Sequence, residues 1–226
     1  MNLSSTARNL ALLASGLLAT MMLLTLATGV AQEPFEAVRG LAEYRALMLR
    51  GAPTLRAILS VDALFIAAYT GFFVTYAKLV EAHATRALLR LGLLALLTTA
   101  VLDIVEDQHL FALSKTLELG EEVGFGTLRA QHLLSQTKFH VSYVGLFLFG
   151  LGLPRRDAWE RAFAFAVAVP IPVLGSLLWI APARYEFPLS VGRWFGFLVG
   201  FAGALVLLRR PTPVAPAPVA ARGAPA

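Results

Sequence analysis

Six residues with ionisable side chains stand inside segments that are otherwise apolar enough to form membrane helices. They are Asp62, Asp103, Glu106, Lys138, His140 and Arg193. A charge at the centre of a bilayer costs on the order of 3 kcal/mol or more, so such residues normally pair and face a bundle interior or a cavity. Carboxylates and cations placed together could bind a polar ligand, relay protons or hold helices together.

Counting along the chain places these charges at one depth. The three carboxylates and the two cations lie 13 to 17 positions from the basic residue that borders their apolar segment. At 1.5 Å per helical residue this is about 20 to 25 Å, in the far third of a hydrocarbon core about 30 Å thick. We therefore expect one charged layer, with His140 beside Lys138, while Asp107 lies outside it at the water interface.

The elements that position the layer are membrane helices. The 226 residues are 58% apolar and 15% charged, with a mean hydropathy of +0.70, whereas soluble domains average about 25% charged residues. Six apolar segments stand out, at 10–30, 58–77, 88–110, 139–153, 162–180 and 189–208. We predict an all-α, polytopic bundle of about six transmembrane helices in residues 1–210, followed by a disordered Pro/Ala-rich tail at 211–226.

Charge and cysteine content exclude several functions. The net charge is +5, but the arginines stand in pairs at predicted helix ends without interleaved aromatic residues, so no nucleic-acid partner is expected. The chain has no cysteine, which excludes disulfides and thiolate metal sites. The expected partner common to all interpretations is the lipid bilayer.

The distribution of Lys and Arg predicts the orientation. Segments 1–9, 78–90, 154–161 and 209–226 hold ten of them, against eight in the longer set 31–57, 107–138 and 182–188. Cytoplasmic loops carry the excess, so we predict an inner-membrane protein with both termini in the cytoplasm. The first apolar segment ends in small residues, as signal peptides do, but its length favours a retained helix.

Residues 34–50 have an amphipathic pattern. Phe35, Val38, Leu41, Leu47 and Met48 lie close to one helical face, which predicts a short helix in the outer membrane interface. A packed outer lid without membrane contact is the alternative.

Two of the predicted spans contain packing signals. In the last span Gly192, Gly196 and Gly200 have the spacing that lets helices approach closely, against either the same chain or another protomer. Pro170 and Pro172 predict a kink in the fifth span. Trp194 is expected to be an aromatic anchor at the outer interface, with a place on the floor of a ligand pocket as the alternative.

A metal or cofactor is not expected. Glu106 and His109 have the Glu-x-x-His spacing of di-metal helix bundles, but those bundles need two copies and further glutamates, and one copy is present here.

Our leading hypothesis is an outward-facing pocket, built from the charged layer, that binds or transports a small polar or amphipathic ligand such as a lipid headgroup. Lys138 and Arg193 would hold an anionic group of this ligand. One alternative is a structural or regulatory subunit of a membrane complex, or a homo-oligomer, whose charged layer is a packing network. Another is an intramembrane enzyme that uses Asp103 or Glu106 as a general acid or base.

Overall fold

The computed structural model describes residues 2–180 and 182–210, and this part of the chain contains helices, turns and loops but no strand. The helices are α1 (Leu3–Thr28), α2 (Glu33–Glu36), α3 (Leu41–Val80), α4 (Arg86–Glu118), α5 (Phe125–Gly152), α6 (Ala158–Ala168), α7 (Pro170–Ile180) and α8 (Glu186–Arg209). The tail predicted to be disordered, 211–226, lies outside the described residues.

Five helices of the described part are long and apolar enough to cross a membrane. They are α1, α3, α4, the combined α6 and α7, and α8. The predicted all-α membrane bundle is therefore confirmed for five of the six segments. The remaining one, 139–153, lies in α5, whose 28 residues extend about 42 Å. Helix α5 is less apolar because its buried face carries Gln131, Ser135, Lys138 and Ser142.

Glycines set the close packing of α4 on α5. A Cβ atom added at Gly92 would lie 2.6 Å from Cα of Phe149, and one added at Gly152 would lie 2.7 Å from Cα of Leu89. At each of these points the glycine of one helix lies directly against the backbone of the other helix. This contact holds α4 and α5 together below the charged residues that they share.

A second core cluster covers the end of the bundle near α2. It contains Phe35, Tyr44 and Met48, which pack against leucines of α4 and α5. The predicted interfacial helix at 34–50 is thus divided: α2 ends at Glu36, and residues 41–50 are the first turns of α3. Because α3 has 40 residues and extends about 60 Å, its N-terminal part reaches beyond a bilayer core.

The amphipathic face also differs from the prediction. Val38 and Leu41 are exposed, with 41% and 45% of their surface accessible, whereas Tyr44 and Met48 are fully buried. The segment packs on protein through Phe35, Tyr44 and Met48. We call residues 30–57, which comprise α2 and the first turns of α3, the cap.

The predicted kink in the fifth span is confirmed. Helix α6 ends at Ala168 and α7 begins at Pro170, with Val169 between them. Proline has no N–H group and its ring clashes with the preceding turn, so the helix cannot continue straight through this position.

The glycines of α8 pack within the same chain. A Cβ at Gly196 would lie 2.8 Å from Ile171 of α7, and one at Gly192 would contact Leu174 of α7 at 3.5 Å. The position of Gly200 is different, because no atom lies within 4 Å of a Cβ built there.

The first prediction concerns the contact of α4 with α5. Gly92→Ala should lower the free energy of unfolding by about 1 to 3 kcal/mol, because the new methyl group overlaps the Phe149 backbone. Gly16→Ala in α1 is the control, since a Cβ there meets no atom within 4 Å, and alanine should then stabilise the helix by up to about 1 kcal/mol. Chemical unfolding in detergent measures both. Equal effects of the two substitutions would contradict the close contact.

Candidate functional site

Lys138 is the centre of the charged layer. Its side chain is 7% exposed, and its Nζ lies 3.1 Å from Oδ1 of Asp103 and forms a second ion pair with Glu106. The two carboxylates are three residues apart on α4, so they occupy one face of that helix. A buried ammonium group is thereby neutralised by two carboxylates of the neighbouring helix.

Glu106 is fully buried and has further partners. Its Oε1 accepts hydrogen bonds from the Ser135 hydroxyl and, at 3.3 Å, from Nε2 of Gln131. The Oε1 atom of Gln131 lies 2.5 Å from Nδ1 of His109, and a carbonyl oxygen can only accept, so the proton is on this histidine nitrogen. The Glu106 carboxylate is therefore held on both oxygens.

Asp103 joins α4 to α3. The Tyr69 hydroxyl donates a hydrogen bond of 2.5 Å to Oδ2 of Asp103, the oxygen that does not contact Lys138. The network thus links α3, α4 and α5 through one carboxylate.

Arg193 brings α8 into the layer. Its guanidinium lies 3.4 Å from Oε1 of Glu33 and 3.5 Å from the Tyr143 hydroxyl, and it stacks on the Phe139 ring at 4.3 Å. The indole N–H of Trp194 donates to the same Glu33 oxygen at 3.0 Å. This indole also lines the cavity described below, as the alternative of a pocket residue expected.

Asp107 also differs from the prediction. We expected it at the water interface, but it is 5% exposed and accepts a 3.4 Å hydrogen bond from Nε2 of Gln32. Its other oxygen is buried without a hydrogen-bond partner in the described part of the chain, near enough to Asp62 for the two carboxyls to interact electrostatically. The cap covers this turn of α4, which local periodicity could not reveal.

His140 lies away from the layer. Its ring is exposed, with Nδ1 2.7 Å from the Gln136 carbonyl oxygen. Residues two apart on a helix point about 200° apart, so a buried Lys138 places His140 on the opposite side. The structure therefore brings together five of the six predicted site residues.

Sequence reasoning missed two carboxylates of the site, Glu33 and Glu36. Both are in α2, and Glu36 is 6% exposed. Glu36 is not among the residues of the predicted apolar face, and the signal that could have found it is Pro34, which suits the first turn of a separate short helix. Burial, reinforced by the nearby charge of Glu106, raises the pKa of Glu36 to about 8.

A cavity of about 140 Å³ opens beside the layer. Eight of the described residues that line it are aromatic, contributed by α3, α5 and α8. Its polar end contains Glu36, Asp62, Asp103 and Lys138. Along α4 the lining runs from Asp103 to Leu96, seven residues or about 10 Å, so the cavity has a charged end and an apolar end.

The described residues include no group of three His, Asp or Glu side chains arranged to hold a metal ion. Glu106 and His109, which have the metal-site spacing, instead bind different atoms of one amide, the NH2 and the oxygen of Gln131.

Comparison with known proteins adds no function, since no family model matches the chain and no curated protein or solved structure is similar to it. The functional argument therefore rests on the geometry of this site.

The second prediction tests the buried ion pairs. Lys138→Met should lower the free energy of unfolding in detergent by about 3 to 5 kcal/mol, because two carboxylates lose their cation in a buried site. Lys115→Met is the control, as the half-exposed Lys115 pairs with Glu118 at the surface and should cost less than about 1 kcal/mol.

A compensating variant separates charge from packing. Adding Asp103→Asn and Glu106→Gln to Lys138→Met removes the unpaired charges and should recover part of the lost stability. Equal stability of the Lys138 and Lys115 variants would show that Lys138 does not neutralise the layer.

Proposed function

We propose that this chain is an integral membrane protein whose internal cavity binds a small amphipathic molecule. The supporting observation is the two-ended cavity, which joins an aromatic and aliphatic interior to buried carboxylates. Binding sites for small molecules are typically apolar clefts with a few polar groups that orient the ligand. The Ser135 hydroxyl contacts the Glu106 carboxylate, but neither residue is among the described residues that line the cavity, so binding or transport is favoured over catalysis.

The size of the cavity limits the ligand. An engineered protein cavity of about 150 Å³ holds one benzene molecule, and the cavity here has a similar volume. The enclosed part of a ligand therefore has the size of one small ring or a short alkyl chain. A lipid headgroup could enter only with its smaller part.

Lys138 and Arg193 have a different role here from the one expected from sequence. Each is already paired with carboxylates of the protein, so neither is free to neutralise an anionic ligand without breaking a buried ion pair. In the proposal they position the carboxylates around the cavity.

The orientation remains part of the proposal. Ser4, His83, Arg156 and Arg210 line one hollow at the end of the bundle opposite the cap, so the segments richest in Lys and Arg share that end. By the positive-inside rule this end is cytoplasmic and the cap faces outward in the inner membrane.

Single cysteines test this orientation, because the natural chain has none. In intact cells a membrane-impermeant maleimide should label Glu121→Cys, in the exposed turn between α4 and α5, and should label the exposed His83→Cys only after lysis. Labelling of His83→Cys in intact cells without Glu121→Cys would reverse the proposed orientation.

The competing function is that of a structural subunit, and one observation favours it. All three carboxylates that pair with Lys138 and Arg193 also accept hydrogen bonds from the protein, as in a network that serves only packing. Such a subunit would leave the cavity empty and hold a partner polypeptide.

Native mass spectrometry of the mildly solubilised protein distinguishes the two functions. We expect one bound small molecule per chain, identifiable after extraction, and its loss in Ser142→Met, which places a longer side chain into the cavity that Ser142 lines. Thr137→Met is the matched control because Thr137 is exposed on the same helix. An empty cavity together with a stoichiometric partner protein would refute the binding function.

A further inference from the structure

The described site contains more carboxyl groups than cations. Its two cations are Lys138 and Arg193, and their ion pairs use three carboxylates. Glu36, Asp62 and Asp107 remain without an ion pair among the described residues. Buried charges are normally paired or neutralised, so this site requires either protons or a positively charged ligand.

Glu36 points to a ligand. Only 6% of the surface of Glu36 is exposed, and the residue lines the cavity. Nδ1 of His132 lies 3.1 Å from its backbone oxygen, but its carboxylate has no hydrogen bond or ion pair among the described residues. The carboxylate is therefore available to a ligand in the cavity. Asp62, on α3, adds a second carboxyl to the lining of the same cavity.

The aromatic residues that line the cavity also favour a positively charged ligand. Cations are attracted to the faces of aromatic rings, and quaternary and other ammonium ligands are often bound in aromatic cages. In this site the Phe139 ring already lies 4.6 Å from Nζ of Lys138 and 4.3 Å from the Arg193 guanidinium. Tyr69, Trp194 and Phe197 provide further rings around the cavity.

We propose that the ligand is a small organic cation, an amine with an apolar body; this inference rests on the proposed binding function. Glu36 neutralises the ammonium group of the ligand, and Asp62 supplies a second negative charge. The apolar body occupies the part of the cavity that reaches toward Leu96 and Phe201. The paired Lys138 and Arg193 keep the neighbouring carboxylates in place.

Three probes of nearly equal size and different charge test this inference: benzylammonium, benzyl alcohol and benzoate. Equilibrium dialysis against the protein in an uncharged detergent, with protein-free micelles as the blank, measures each affinity. We expect benzylammonium to bind about tenfold or more tightly than benzyl alcohol, and benzoate to bind most weakly, because the aromatic body is shared and only the charge differs.

Glu36→Gln identifies the counter-ion. This variant keeps the shape of the side chain and should reduce benzylammonium affinity about tenfold while leaving benzyl alcohol affinity unchanged. Glu43→Gln is the control, since Glu43 is exposed and pairs with Arg39 in the cap. Because Glu36 has no protein partner for its carboxylate, the variant should fold normally, which its melting temperature will show.

A pH series gives a second, independent measurement. With a pKa near 8, Glu36 must release a proton when it pairs with an ammonium, so benzylammonium affinity should rise between pH 6 and pH 8, and this rise should disappear in Glu36→Gln. The charged groups around Glu36 are Glu33 on α2, Asp62 on α3, Glu106 on α4, Lys138 and His132 on α5, and Arg193 on α8. Because His132 contacts the backbone oxygen of Glu36, His132→Gln is included as a control and should preserve the rise.

The outcomes separate this inference from the proposed function. Equal binding of benzylammonium and benzyl alcohol, or tightest binding of benzoate, would overturn the cationic ligand and leave a binding cavity. Absence of binding by all three probes, together with an empty cavity in native mass spectrometry, would overturn both. An unchanged benzylammonium affinity in Glu36→Gln would exclude Glu36 as the counter-ion and overturn the inference as stated.

Discussion

The ion pairs of Lys138 with Asp103 and Glu106 are the constraint on which the rest of the bundle depends. An ammonium group at this depth is tolerated only where carboxylates reach it directly, which requires α4 and α5 to be close. The backbone contact at Gly92 provides this closeness below the charged layer. The second oxygens of both carboxylates are then bound, Asp103 by Tyr69 and Glu106 by Ser135, so the position of the lysine also determines how α3 meets α4.

The cap gives this charged layer its chemical character. Without residues 30–57 the ends of α4 and α5 beneath the cap would be uncovered, and their carboxylates would be more exposed. Gln32 of the cap instead donates a hydrogen bond to Asp107, and α2 brings Glu33 to Arg193. Burial by the cap makes the ionised form of each unpaired carboxyl unfavourable. Each such carboxyl must therefore be protonated or be paired with a positive charge.

Much of this arrangement follows from local sequence rules, and the remainder depends on long-range contacts. Residue spacing was sufficient to find the layer of Asp62, Lys138 and Arg193, because membrane helices are straight, regular and similar in length. It was insufficient for Asp107, which is covered by a residue 75 positions earlier in the chain. It was also insufficient for Glu36, which lies in a helix of only four residues. His140 was misplaced through nearness in sequence, since positions two apart on a helix face opposite directions.

The imbalance between six carboxyls and two cations is informative because it could have been smaller at little cost. Replacing Glu36 by glutamine would remove a buried charge without breaking any hydrogen bond to its side chain in the described structure. In the proposed binding function this group has a use, since the carboxyl can carry a proton when the pocket is empty and release it to water when an ammonium ligand binds. In the proposed function the two ends of the cavity have distinct tasks: the aromatic end selects an apolar body of limited size, and the acidic end selects its charge.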